Sequence, residues 1–212
     1  WLIDGKKNFL IIGNMNSITC KDIFPLIKEN KMWLGNGFAA GNAFFRVAGS
    51  SSTDYADGVY DANTGFVKFR NCCWFTNIDH GRRYQPLKLM TMADNLRFNK
   101  KLKGQTEYYR YDNYDAIEIP FTELIPSDYE GVMGVPISFL DKYCPEQFEI
   151  VGMCENEDLY HLKTKVYSTA ECKQAYMNKF GKIGTYDLNA SGVLTKNGIQ
   201  EKVYQRILIR KK

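Results

Sequence analysis

The side chains of this 212-residue chain best suited to chemistry lie in Trp74-Phe75-Thr76-Asn77 and, just after it, Asp79-His80-Gly81-Arg82-Arg83. They close a long β-prone run, Phe66 to Ile78, in which alternation sends Trp74 and Phe75 to opposite faces. At most one ring then belongs to the core and the other is free, although aromatic residues in strands more often serve packing alone. An available ring at a sheet edge beside arginines is what stacking on an unpaired base requires. Asn14 and Asn16 form a second candidate group. They follow the apolar run Asn8–Gly13, and amides at the carboxyl end of a strand line ligand sites in open α/β sheets. Asparagines in that place equally well cap the next turn. From Arg82 to Lys103, seven Lys/Arg stand against the single Asp94. Arg82, Arg83, Lys100, Lys101 and Lys103, with Arg70 before them, suit phosphate contacts.

Other chemistries find less support. Gly35-Asn36-Gly37-Phe38-Ala39-Ala40 matches G-x-G-x-x-A, but a phosphate-binding turn needs a helix to open at its glycines. Asn42–Val47 reads as a strand instead, so the glycines are expected to form a loop. The six cysteines contain no C-x-x-C pair, and His80 and His161 have no metal-ligand spacing with them. No metal site is expected, and no Ser/His/Asp or Cys/His arrangement can be assembled. Free, reduced cysteines suit the cytosol.

The elements that must position these residues read as α/β. The run Asn8–Gly13 has the pattern of a buried strand in a parallel sheet. A helix starting near Phe24, with Pro25 in its first turn, leads to a strand at Lys31–Leu34. Strands on either side of the polar loop 49–61 predict an antiparallel hairpin. Thr91 is the expected N-cap of a short helix. Further on, Ala116–Ile119 and Gln147–Met153 read as strands, and Pro136–Tyr143 and Ser168–Lys179 as helices. Asn197-Gly198 marks a hairpin. An apolar content of 44% with 25% charged residues is that of a globular protein. No apolar run approaches the roughly 18–20 residues of a membrane span. Charge divides the chain more sharply. Residues 1–106 hold 15 Lys/Arg against 8 Asp/Glu, residues 107–158 hold 2 against 13, and residues 159–212 hold 11 against 3. Two basic lobes flank an acidic belt, so two surfaces are candidates for a polyanion.

Four segments together resemble the EcoRI-type family of adenine-specific DNA methyltransferases. They are Asn8–Glu29 (NFLIIGNMNSITCKDIFPLIKE), Phe66–His80 (FVKFRNCCWFTNIDH), Gly131–Gly152 (GVMGVPISFLDKYCPEQFEIVG) and Tyr204–Lys211 (YQRILIRK). Their order along the chain extends the likeness over essentially its whole length.

The resemblance implies methyl transfer from S-adenosylmethionine to adenine N6 in double-stranded DNA, with the target base flipped out. It also implies the back half of a Rossmann-like sheet with a β-hairpin over residues 1–104, then an α+β target-recognition region over 105–212. Trp74 or Phe75 would stack on the extruded adenine, and Asn14, Asn16 and Asn77 would border the same cleft. Arg70, Arg82, Arg83, Lys100, Lys101 and Lys103 would meet phosphates, with the acidic belt turned away from DNA. The family's N-P-P-F/Y and glycine-rich cofactor motifs are not in these residues, and Trp1–Gly5 reads as the end of a helix. The expectation is therefore a C-terminal portion without catalytic residues of its own, inactive alone, from a cytoplasmic restriction–modification or solitary methylase. A non-enzymatic DNA-binding module is the alternative, and an RNA-binding α/β protein a weaker one.

Overall fold

The computed structural model describes residues 2–35, 42–49 and 51–212. It is a mixed α/β structure with several small sheets and few helices, divided into two compact units, Trp1–Arg82 and Arg83–Lys212. The division falls before the helix capped by Thr91, whereas composition changes character only near residue 104.

In the first unit, β1 (Leu10–Asn14) leads through a 3-10 turn to α1 (Phe24–Lys28) and β2 (Trp33–Leu34). Pro25 sits in the first turn of α1, where its missing N–H costs no hydrogen bond, and Phe24 and Ile27 are buried. Then come β3 (Asn42–Arg46), β4 (Tyr60–Asp61), β5 (Phe66–Arg70) and β6 (Cys72–Thr76). The long β-prone run does not form one strand. It breaks at Asn71, whose φ of 55° is left-handed, a conformation asparagine tolerates better than most residues. That kink passes the chain from one sheet, ordered β3-β5-β4, to another, ordered β1-β6-β2. The expected hairpin is present as β3 against β5.

One expectation is overturned. β1 is not a buried strand of a parallel sheet, because it pairs antiparallel with β6 at the sheet's edge and leaves Leu10, Ile11 and Ile12 exposed. An unbroken apolar run reports a demand for burial on both faces. Within the described residues that demand is unmet.

The second unit contains α2 (Met92–Phe98), β7 (Ala116–Glu118), β8 (Val132–Pro136), β9 (Phe148–Met153), α3 (Thr169–Phe180), β10 (Val193–Lys196), β11 (Ile199–Lys202) and β12 (Arg206–Lys211). Thr91 caps α2 by accepting from the Asp94 N–H at 3.1 Å. Ser168 and Glu171 cap α3 reciprocally, and Gly181 closes it at φ 66°. The stretch after Pro136, read as an α-helix, is a 3-10 turn, Ile137–Lys142. Asn197 and Gly198, at φ 51° and 76°, make the two-residue turn between β10 and β11. The main sheet is ordered β7-β8-β12-β9, parallel only between β7 and β8. Its interior strand β12 buries Ile207 and Ile209 on one face, opposite Val135, Met133 and Ile150, and Leu208 on the other, in a cluster with Tyr111, Tyr114, Ala116, Cys154 and Leu194.

Candidate nucleic-acid site

β6 carries Trp74 and Phe75, with Asn77 just past its end, and the sheet separates their roles. Phe75 points into the core, and its ring lies against Gly13, where a β-carbon would come within 2.8 Å of it. The glycine thus makes room for a side chain of its own fold. Trp74 emerges on the opposite face, half-buried, beside Gly35 and level with Ile12 of β1. Of the two rings, Phe75 is the buried one and Trp74 the more accessible. Asn77 is committed to the fold: its carbonyl accepts from the Phe9 N–H and its amide donates to the Lys7 carbonyl, both at 2.9 Å. Two such bonds tie the entry of β1 to the exit of β6.

Asn14 caps the 3-10 turn that follows β1, accepting from the Asn16 N–H at 2.9 Å. It opposes Cys72 and therefore shares the face of Trp74, two positions along the strand. The Asn16 carbonyl accepts from the Thr19 hydroxyl. Capping and bordering the Trp74 face are compatible for Asn14, because the cap uses only one lone pair of its side-chain carbonyl. The neighbouring Cys73 is buried, and burial together with the Cys72 charge pushes its thiol up to about 12, so it is no nucleophile.

The basic residues fall into two classes. Arg70, Lys100 and Lys103 are exposed and Arg82 is half-buried. Arg83, expected at a phosphate, is buried, at 7% exposure. Lys101 pairs with Glu123 and lies 3.9 Å from the centroid of Phe121. Its hydrogen bond holds the Glu123 carboxyl below the usual carboxylate range. An exposed pair of this kind is worth at most about 1 kcal/mol and yields readily to a phosphate.

Much of the acidic belt proves structural. Glu118 on β7 is buried and paired with Arg206 at the start of β12, which donates from Nε at 3.0 Å and from Nη2 at 2.6 Å. Tyr111 donates its hydroxyl to the same carboxylate. Burial first, then the Glu118 charge, holds the Tyr111 phenol well above its ordinary value, so it stays a donor. Arg206 spends Nη1 on the carbonyls of Tyr204 and Gln205. Glu155 accepts from the N–H groups of Glu157 and Leu159, and Asp158 from those of Leu162 and Lys163.

The glycine-rich stretch Gly35–Ala40 lies, past Gly35, outside the described residues. Gly13 is filled by the Phe75 ring, and no glycine turn among them opens a helix after a strand. Nor, among the described residues, does any group of three or more His, Cys, Asp or Glu come together to hold a metal. No helix among them is long and apolar enough to cross a membrane. The β3–β5 hairpin alternates aromatic and basic residues at i, i+2 on both strands, Phe44 and Arg46 on β3 and Phe66 and Lys68 on β5, a pattern the sequence reading did not single out.

A family model described as adenine-specific methyltransferase EcoRI matches residues 1–212. The Type II methyltransferase M.EcoRI of Escherichia coli is 44% identical over 158 residues, covering 74% of this chain and 46% of that protein. M.MgeORF184P of Mycoplasma genitalium is 30% identical across 99% of this chain and 59% of its own length. M.MpnI of Mycoplasma pneumoniae is 30% identical across 78% of this chain and 51% of its own length. The chain thus spans about half the length of the curated relatives it matches. No solved structure matches. A family match over all 212 residues places this chain in the EcoRI family of adenine-specific methyltransferases.

Proposed function

We propose that this chain is the part of a site-specific DNA methyltransferase that holds the target adenine and meets the DNA, in an enzyme that methylates adenine N6 from S-adenosylmethionine. The observation that carries this reading is the family match over residues 1–212. A duplex hides N6 inside the stack, so the enzyme must extrude the base and grip its π-face. Trp74 stacks on the extruded adenine, and Asn14, on the same face, borders it. Arg70, Lys100 and Lys103, exposed and cationic, take phosphates. Phe75, Asn77 and Arg83 hold the structure. Residues 1–82 complete a Rossmann-like sheet, and the second unit contributes target recognition.

N6 is a weak nucleophile, its lone pair delocalised into the ring, so catalysis here is largely orientation of that nitrogen. In this reading the acceptors that orient N6 and the cofactor site are supplied outside the described residues. The test uses tritium-labelled S-adenosylmethionine and plasmid DNA. The 212-residue chain alone is expected to transfer no label and the full-length enzyme to transfer it. Transfer by the chain alone would overturn this division of labour.

A further inference from the structure

The hairpin β3–β5 presents two different faces. Ala43 and Val67 are buried on one side. On the other, cross-strand register sets Phe44 opposite Lys68, Arg46 opposite Phe66, and Asn42 opposite Arg70. Strand alternation puts all six on one surface. Phe44 is 59% exposed and Phe66 39%. Each ring has a cation from the facing strand over it: Lys68 Nζ 6.0 Å from the Phe44 centroid, and the Arg46 guanidinium 5.6 Å from that of Phe66. A shallow depression of about 450 Å³ runs between Phe44, Phe66, Lys68 and Tyr60. Its carboxylate among the described residues, Asp61, is occupied by the Thr64 hydroxyl and the Asn63 N–H of its own turn. Arg46 is steadied by donating to the Thr64 carbonyl at 3.1 Å.

Two rings on the diagonal of a strand pair, each flanked by a cation, form a surface for a ligand that is flat, aromatic and repeatedly anionic. Cations alone would suit any phosphate, and rings alone any apolar partner. Alternation of the two matches a polynucleotide strand whose bases are out of the duplex, because only unstacked bases offer their faces while their phosphates lie alongside. We propose that the β3–β5 face is a second DNA-contact site, a stacking platform for unpaired bases, separate from the Trp74 face on the other sheet of the unit. It rests on the reading of the chain as DNA-directed, and, with the extruded adenine on Trp74, gives the partner base left unpaired by extrusion a place to stack.

The test measures fluorescence anisotropy of the purified chain with a fluorescein-labelled twelve-nucleotide oligothymidine and with a duplex of the same length, over a range of salt. The expected result is that Phe44→Ala with Phe66→Ala weakens oligothymidine binding about tenfold or more and leaves the salt slope unchanged. The corresponding tyrosine pair, which keeps both rings, is expected to retain affinity. Lys68→Ala is expected instead to flatten the salt slope by about 0.7. Because Phe44 and Phe66 are exposed, the variants keep the buried contacts of the hairpin, and single Phe44→Ala reports the same effect in smaller measure. Undiminished oligothymidine binding by the folded alanine pair would overturn the platform while leaving the DNA-directed reading intact. So would binding of the duplex but not the single strand. Binding of neither probe would overturn both.

Discussion

Replacing Arg206 by alanine is expected to destabilise the second unit by about 3–5 kcal/mol, the cost of leaving a buried carboxylate without its partner. Glu118 and Arg206 have side chains only 6% and 10% exposed, and three of the guanidinium–carboxylate contacts are within 3.1 Å. For Arg206, burial works against the charge, but the hydrogen bonds and attraction of Glu118 outweigh it, and the net direction is upward. The truncation removes this compensation and leaves Glu118 facing only the Tyr111 hydroxyl. It also frees the carbonyls of Tyr204 and Gln205, loosening the approach to the central strand β12. Urea unfolding followed by near-UV dichroism measures the loss. Joint replacement of Glu118 by leucine and Arg206 by methionine should recover most of it, since a packed apolar pair carries no desolvation cost. An unchanged midpoint in Arg206→Ala would show that the pair contributes nothing to the unit.

The second large effect separates two adjacent rings. Phe75→Ala is expected to cost about 3–5 kcal/mol of stability, because it empties a core position fitted against Gly13. Trp74→Ala should cost less stability and act on substrate. In the full-length enzyme, losing a stacking ring of this kind is worth about 1–3 kcal/mol, or roughly 5- to 150-fold in binding of the extruded base. With 2-aminopurine at the target position, the fluorescence rise that accompanies extrusion is expected to fall in Trp74→Ala and largely return in Trp74→Phe. If Trp74→Ala changes only stability, with extrusion and turnover per folded molecule intact, the stacking role is wrong.

Local chemistry made several elements readable in advance. The Ser168/Glu171 capping box, the Thr91 cap and the Asn197-Gly198 turn each satisfy backbone groups within a few residues, so the sequence alone determines them. What escaped depends on distant partners. The run Leu10–Ile12 demands burial but does not name what covers it, and a parallel interior strand was the wrong reading. Phe66–Ile78 has uniform β propensity, and only the left-handed Asn71 divides it between sheets. Arg83 was read as a surface cation from its charge, but it is buried, and charge alone does not reveal what packs over a side chain. Of the candidate site, the opposition of Trp74 and Phe75 was legible, since strand period alone decides it. Which ring faces inward required Gly13 on the neighbouring strand β1. Asn77 looked like a pocket amide because a side chain holding two backbone groups across 68 and 70 residues leaves no local trace.

The most direct measurement is the identity of the product. Full-length enzyme is incubated with double-stranded DNA and tritium-labelled S-adenosylmethionine, and the DNA is digested to nucleosides and separated. The label is expected in N6-methyldeoxyadenosine, and in markedly smaller amount with Trp74→Ala. Label in a methylated cytosine, or DNA left unlabelled by a correctly folded full-length enzyme, would contradict the assignment of this chain to adenine methylation.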